Sequence, residues 1–224
     1  MILGINGKIG SGKDTVGSII QYLTSDYKEI YGYLEWVERV KIYSSFPYSP
    51  WKIKKFAGKL KEIAALLTGC TIEQLEDQEF KKETLGFNWR SGHCIGAAST
   101  YRELLQLLGT EIMRDKVHPN VWVNALMADY KEQQNYDSSF SYPKWIITDM
   151  RFPNEIEAVK AKDGITIRVH RDIHKGNAHI APIPHASETA LDDAKFDYEI
   201  MNDGTIDDLI QKVKVILVKE DIIK

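Results

Sequence analysis

The sequence has few cysteines, no long apolar run and no excess of positive charge. Only Cys70 and Cys94 occur among 224 residues, which is too few for a disulfide framework or a four-cysteine metal site. No apolar run approaches the roughly 20 residues of a membrane-spanning helix, and no signal-peptide pattern precedes the first glycine-rich loop. We therefore expect a cytoplasmic protein that does not act at a membrane.

The charge balance also argues against nucleic acid as a partner. The net charge is -3, so no overall positive field draws the chain to a polyanion. No basic run is interleaved with stacking aromatics, as in many single-strand binders. With 43% hydrophobic and 27% charged residues, residues 1–224 are typical of one globular domain with a large core.

Strand-like and helix-like segments alternate along the chain. This alternation predicts an α/β fold in which helices cover both faces of a central parallel sheet. The predicted strands are 2–6, 53–56, 145–149, 165–169 and 198–201, and the predicted helices are 13–23, 60–68, 101–114, 121–131, 154–161 and 206–218.

The segment "GKIGSGKDT" has the spacing of a phosphate-binding loop, from Gly7 through Gly10 and Ser11 to Gly12 and Lys13. Glycines allow backbone amides to converge on phosphate oxygens, and the following helix adds its positive end. A lysine here faces the outer phosphates. The alternative is a plain glycine turn, but an apolar strand precedes the loop and a helical apolar pattern follows it, as the motif requires.

The general motif has Ser or Thr after the lysine, whereas this chain has Asp14 followed by Thr15. If Asp14 faces solvent, it is a surface acid favoured by the helix dipole, and Thr15 supplies the hydroxyl. If Asp14 faces inward, its carboxylate replaces that hydroxyl near Mg²⁺. The sequence leaves both arrangements open.

The segment "WIITDMRFPNE" provides a second element of the site. Asp149 ends a buried strand, where a carboxylate can hold Mg²⁺ or merely cap the next helix. Arg151 follows two residues later and can reach phosphates in transit, although an ion pair with Glu155 is the alternative. A phosphate loop in the same chain favours the catalytic interpretation of both residues.

These segments, with "RELLQLLGTEIMR", "HPNVWV", "HASE" and "FDYEIMNDGTIDDL", resemble the deoxynucleoside monophosphate kinases of bacteriophages, within the P-loop nucleoside monophosphate kinase superfamily. The resemblance extends from Gly7 to Leu209, and the family tolerates Asp after the loop lysine. It implies the three-layer P-loop fold with strand order 2-3-1-4-5. It also implies transfer of the terminal phosphate of ATP, with Mg²⁺, to a deoxynucleoside monophosphate (dNMP).

The resemblance places acceptor binding in the helical region 57–132. Arg102, Gln106 and Arg114 are the acceptor residues that it favours, and Lys61 is a further phosphate contact. Guanidinium groups suit a monophosphate because their fork matches its oxygens. Without the resemblance, a solvated helix face would explain the same residues.

The resemblance further implies a closing lid at 171–186, with Arg171 at its base, and an adenine contact at Asn202 and Gly204. Some members form dimers, so a homodimer is compatible, and a phage-encoded enzyme would act in the host cytoplasm.

Segments 24–51 and 86–99 match no motif. The alternatives are a P-loop kinase of another small acceptor, such as dephospho-coenzyme A or phosphomevalonate, and a non-catalytic ATP-binding regulator.

Overall fold

The computed structural model describes residues 1–43, 49–89, 98–135, 138–171 and 189–224. Cys94 and the predicted lid, apart from Arg171, lie outside these ranges. Within them, no helix is both long and apolar enough to cross a membrane. The chain divides into two compact units, the first formed by Met1–Lys55 and Tyr130–Lys224 and the second by Phe56–Asp129.

A five-stranded parallel sheet forms the centre of the first unit. Its order is β2-β5-β1-β6-β7, which confirms the expected order 2-3-1-4-5 when its strands are counted along the chain. A separate antiparallel pair joins two short strands. The strands are β1 Ile2–Gly7, β2 Trp51–Lys54, β3 Gln133–Gln134, β4 Phe140–Ser141, β5 Lys144–Met150, β6 Ile165–His170 and β7 Tyr198–Met201.

Helices cover both faces of the sheet, which confirms the α/β prediction. Leu3 and Ile5 of β1 are fully buried in the core shared with three helices of one face. On the other face, Gly4 lies against Val159. The helices are α1 Lys13–Leu23, α2 Tyr33–Ile42, α3 Gly58–Thr68, α4 Ile72–Glu76, α5 Tyr101–Gln106, α6 Val121–Met127, α7 Pro153–Lys160 and α8 Ile206–Lys219.

The predicted helix 101–114 is only partly α-helical. It is α5 as far as Gln106 and continues as a π-helix over Leu107–Val117. Two features accompany the change at Gly109, whose missing side chain admits Leu60 and whose carbonyl accepts a 2.8 Å hydrogen bond from the Trp122 indole. The Trp122 indole thus bonds a carbonyl of the helix itself, at the point where a π-helix replaces the α-helical bonding.

Asp197 connects three elements of the first unit. Its carboxylate accepts hydrogen bonds from the Thr166 amide at 2.7 Å, from the Thr166 hydroxyl at 2.8 Å and from the Lys160 ammonium. Burial alone would raise the pKa of Asp197, but the bonds from Lys160 and Thr166 outweigh it and hold that pKa below its usual value. The ionised carboxylate therefore stabilises the fold above its unfolded-state pKa, and this contribution is lost as the pH falls through the folded-state pKa.

We predict that Asp197→Asn lowers the free energy of unfolding at pH 7 by about 1–2 kcal/mol, because charge-assisted hydrogen bonds are lost. The difference from the wild type should narrow as the pH falls below the unfolded-state pKa of about 4, because the unfolded chain then takes up a proton before the native carboxylate does. Urea denaturation followed by circular dichroism at pH 7 and pH 3 measures both quantities. An equal decrease in the free energy of unfolding at the two pH values would show that the ionised Asp197 carboxylate does not stabilise the fold.

Candidate functional site

The end of β1 and the loop that follows it favour glycine at three positions. Gly10 and Gly12 have φ angles of 79° and 95°, in the left-handed region that disfavours other residues. A Cβ atom at Gly7 would lie 2.3 Å from Ser11 Oγ and 2.9 Å from the Val169 carbonyl oxygen. Backbone conformation and close packing therefore explain why glycine occupies these positions of the predicted phosphate loop.

Ser11 presents an unsatisfied hydroxyl inside this loop. Its side chain is 2% exposed, and in the part of the chain that the structure describes its Oγ has no hydrogen-bond partner. The Ser11 amide donates to the Lys8 carbonyl at 3.0 Å, which closes the turn. Because buried polar atoms normally have a partner, this hydroxyl is suited to a ligand oxygen in the loop.

Asn202 holds the loop from the turn after β7. Its Nδ2 donates to the Ser11 carbonyl at 2.8 Å, and its backbone amide donates to the His170 carbonyl at 2.7 Å. A Cβ atom at Gly12 would lie 2.4 Å from this Nδ2. At Gly204, a Cβ atom would lie 2.5 Å from Asp208 Oδ2. The structure thus gives Asn202 a role in supporting the loop, which the sequence did not indicate, and an adenine contact there stays a prediction.

Lys13 and Asp14 are the first two residues of helix α1. The Lys13 ammonium is 4.0 Å from Asp14 Oδ2, and its side chain is 14% exposed. The other oxygen, Asp14 Oδ1, accepts a 2.8 Å hydrogen bond from the hydroxyl of Thr148 on β5. Thr15 is half-buried. The Asp14 carboxylate is therefore tethered to the strand that carries Asp149.

Asp149 lies where the pairing of β5 with β1 becomes irregular. Gly4 is opposite Ile147 and Asn6 is opposite Met150, so β5 has one residue more than β1 over this stretch. Such a bulge breaks the strict alternation of side chains and redirects those next to it. The strand thus changes register at the residue that the sequence assigns to the metal.

Arg151 begins the connection to α7, and its backbone is fixed by Glu155. The Glu155 carboxylate is 1% exposed and accepts hydrogen bonds from the amides of Arg151, at 2.6 Å, and Phe152, at 3.2 Å. Glu155 therefore orders the start of α7 through backbone bonds. The Arg151 residue itself lines a cavity beside the phosphate loop.

This cavity, of about 440 Å³, lies in the first unit and is rich in cationic groups. Arg151, Arg168 and Arg171 line it, together with Lys8, whose ammonium is 3.2 Å from the Asp192 carboxylate. Arg168 donates to the carbonyls of residues 191 and 192 and stacks on the Phe196 ring at 4.3 Å. Such a surplus of cationic groups favours a polyphosphate ligand.

The four predicted acceptor residues all lie in the second unit. Lys61 forms an ion pair with Glu76, and Arg102 Nη2 donates to Gln78 Oε1 at 3.1 Å. Gln106 is exposed at the end of α5, and Arg114 is half-buried in the π-helix. Lys61 and Arg102 are thus held by neighbouring side chains. Trp122, by contrast, is 2% exposed and belongs to the core.

The donor groups at the phosphate loop suit a hard cation. Asp14 and Asp149 offer carboxylate oxygens and Thr15 offers a hydroxyl, the oxygen ligands that Mg²⁺ prefers. Among the described residues, no group of three or more His, Cys, Asp or Glu side chains is placed to hold a metal ion by itself.

The chain is similar to viral nucleotide kinases. A family model described as deoxynucleotide monophosphate kinase matches residues 93–213. The deoxynucleotide monophosphate kinase of Enterobacteria phage T4 is 30% identical over 113 residues, covering 50% of this chain and 43% of that relative. A putative deoxynucleotide monophosphate kinase of Acanthamoeba polyphaga mimivirus is 25% identical over 221 residues, covering 95% and 94% of the two chains.

A third relative is the deoxynucleoside-5'-monophosphate kinase of Escherichia phage T5, which is 21% identical over 254 residues, covering 90% of this chain and 89% of that protein. The chain therefore spans less than half of the phage T4 relative and nearly all of the other two. The family model alone covers more than half of the chain, and it includes β5, β6, β7 and the cavity arginines. On this evidence, the chain belongs to the deoxynucleotide monophosphate kinase family.

Proposed function

We propose that this protein transfers the γ-phosphate of ATP to a deoxynucleoside monophosphate, giving ADP and a deoxynucleoside diphosphate. The observation that carries the proposal is the phosphate loop, with Lys13 and three glycines favoured by its conformation and packing, next to a cavity lined by three arginines. The family membership supplies the acceptor class, since the relatives are named for deoxynucleotide monophosphates.

Positioning and charge account for most of the catalysis in such a transfer. Phosphoryl transfer passes through a loose transition state, so the protein needs little covalent chemistry and no strong base. The loop amides and Lys13 would bind the donor phosphates, and Arg151 and Arg171 would neutralise charge that develops on the group in transit. The Ser11 hydroxyl would donate to a phosphate oxygen and so gain the partner that it lacks.

Mg²⁺ would be held by Asp14 and Asp149, with Thr15 supplying a further oxygen. When bound, the ion neutralises charge on the phosphate oxygens and orients them. The chain's own contribution is to hold these oxygen donors at the carboxyl edge of the sheet, where the loop and β5 end.

The acceptor would be bound by Arg102, Arg114 and Lys61 through its phosphate, and by Gln106 through its base or sugar. This region, 57–132, nearly coincides with the second compact unit. Arg171 would begin a lid at 171–186, and a lid excludes water, which limits wasteful ATP hydrolysis. We further propose action in the cytoplasm, with a homodimer as one arrangement to be tested.

We predict that Lys13→Ala lowers kcat for dNMP phosphorylation by about 10²–10³-fold, the range found when one preorganised electrostatic donor is removed. The assay incubates the protein with ATP, Mg²⁺ and each of the four common dNMPs in turn, and follows ADP and diphosphate formation by chromatography. Lys41→Ala is the matched control, since Lys41 is an exposed lysine paired with Glu38 on α2. ATP binding without transfer to any dNMP would overturn the proposed function.

We predict that Gly12→Ala weakens ADP binding by at least about tenfold, because Ala disfavours a φ of 95° and its methyl group would overlap Asn202. Asn202→Ala in the same chain should relieve the overlap but leave the backbone strain, so the double variant should recover only part of the affinity. Isothermal titration calorimetry with ADP measures this series.

The matched control for that series is Gly32→Ala, because a Cβ atom there meets nothing within 4 Å and φ is -66°. Gly32→Ala should therefore bind ADP like the wild type. Full recovery in the double variant would show that the contact with Asn202, and not the loop conformation, makes glycine necessary.

We predict that Arg102→Met and Arg114→Met each raise the KM for dNMP by about tenfold, since each removes a charge-assisted hydrogen bond to the acceptor phosphate. The affinity for ADP should not change, because these residues are assigned to the acceptor alone. Steady-state kinetics with varied dNMP, combined with ADP titration, separates the two effects. Arg39→Met, which removes an exposed arginine paired with Glu35, controls for a general loss of surface charge.

A further inference from the structure

The contact between Asp14 and Thr148 joins the residue after the loop lysine to the strand residue that precedes Asp149. Thr148 is fully buried on β5, and its Oγ1 lies 2.8 Å from Asp14 Oδ1. An ionised carboxylate can only accept hydrogen bonds, so the threonine hydroxyl is the donor. The hydrogen bond therefore fixes both the rotation of the hydroxyl and the orientation of the carboxylate.

Gly17 makes this contact possible. A Cβ atom at Gly17 would lie 2.8 Å from Thr148 Cγ2 and 3.5 Å from Ile146 Cγ2, so its absence allows α1 to approach β5 closely. Asp14 and Gly17 are three residues apart and therefore lie on the same face of the helix. The close approach at Gly17 brings Asp14, one turn earlier, within reach of the buried hydroxyl.

The bond engages only Oδ1 of Asp14, and the second carboxylate oxygen lies toward the loop lysine. The Asp14 side chain is 63% exposed, and its Oδ2 lies 4.0 Å from the Lys13 ammonium. In the general motif, the residue after the lysine is a hydroxyl that binds Mg²⁺, and a carboxylate on a neighbouring strand completes the site. Here the helix carries a carboxylate in place of that hydroxyl, and Thr148, next to Asp149 on the strand, carries the hydroxyl that holds it.

We propose that Thr148 is a positioning residue that orients Asp14 as a direct ligand of the nucleotide-bound Mg²⁺. Thr148 acts through Asp14 and does not touch the cation. The proposal rests on the proposed function only in assuming that a nucleotide and its Mg²⁺ occupy the phosphate loop. Partners that orient metal ligands typically change metal affinity or activity by about 10–100-fold when they are removed.

The test compares the affinity for ADP with and without Mg²⁺ by isothermal titration calorimetry. We call the ratio of the ADP affinity with Mg²⁺ to that in EDTA the Mg²⁺ gain. Thr148→Val keeps the branched shape and removes the hydroxyl, and its Mg²⁺ gain should be about tenfold lower than that of the wild type. The affinity in EDTA should stay within about twofold, because a group that acts on the metal leaves metal-free binding unchanged. Thr148→Ser, which retains the hydroxyl, should keep the Mg²⁺ gain.

Thr166→Val is a matched structural control. Thr166 is also a fully buried strand threonine, and its hydroxyl also donates to a carboxylate, that of Asp197, at 2.8 Å. Both valine variants should lose thermal stability, but Thr166→Val should keep the full Mg²⁺ gain. If Thr148→Val loses stability and also keeps that gain, its hydroxyl is structural only and the proposal is overturned.

Asp14→Asn completes a double-mutant cycle and remains informative if Thr148→Val does not fold. Because Asp14 is exposed, its substitution should be tolerated, and it should itself reduce the Mg²⁺ gain by at least about tenfold. Adding Thr148→Val should then cause no further loss, since the two residues act as one unit. A full Mg²⁺ gain in Asp14→Asn, or additive losses, would overturn the proposal.

These measurements do not require an acceptor, so they are separate from the test of the proposed function. A wild type that shows the Mg²⁺ gain but phosphorylates no dNMP would leave the role of Thr148 in place and reject the dNMP kinase. If the wild type phosphorylates dNMPs but Thr148→Val does not alter the Mg²⁺ gain, the dNMP kinase is supported and the role of Thr148 is rejected.

Discussion

The parallel pairing of β1 with both β5 and β6 is the constraint on which the first unit depends. β1 is buried on both faces, so its apolar residues pack against helices on either side. Because parallel strands end at the same edge, this pairing brings together the phosphate loop after Gly7, the Thr148–Asp149 bulge and the residues after His170. A ligand at that edge can contact groups from three connections at once.

Two glycines allow these elements to approach one another closely. Gly17 lets α1 lie against Thr148, and Gly12 leaves room for the Asn202 amide. In both cases the missing Cβ atom makes a polar contact possible between distant parts of the chain. The same edge gathers arginines around one cavity. Two lysines of the phosphate loop have carboxylates nearby, Lys8 that of Asp192 and Lys13 that of Asp14.

The sequence pattern alone did not predict helix α2 or the π-helix. Helix α2 falls in segment 24–51, which matches no motif, although Tyr33, Trp36, Val37 and Val40 have helical spacing and the first two are buried. The π-helix begins within a run of good helix formers, and its departure from α geometry coincides with contacts from Leu60 and Trp122. These contacts come from other elements of the fold, so local helix propensity does not predict them.

The sequence by itself determined the sheet and most of its helices, because apolar periodicity and glycine placement are local properties of the chain. It also determined which residue types stand at the phosphate loop and after β5. Only the tertiary structure decided which group holds the Asp14 carboxylate, since its partner Thr148 is 134 residues away. The support of the loop by Asn202 is likewise a long-range contact, because a hydrogen bond between distant segments exists only once the strands that carry them have paired.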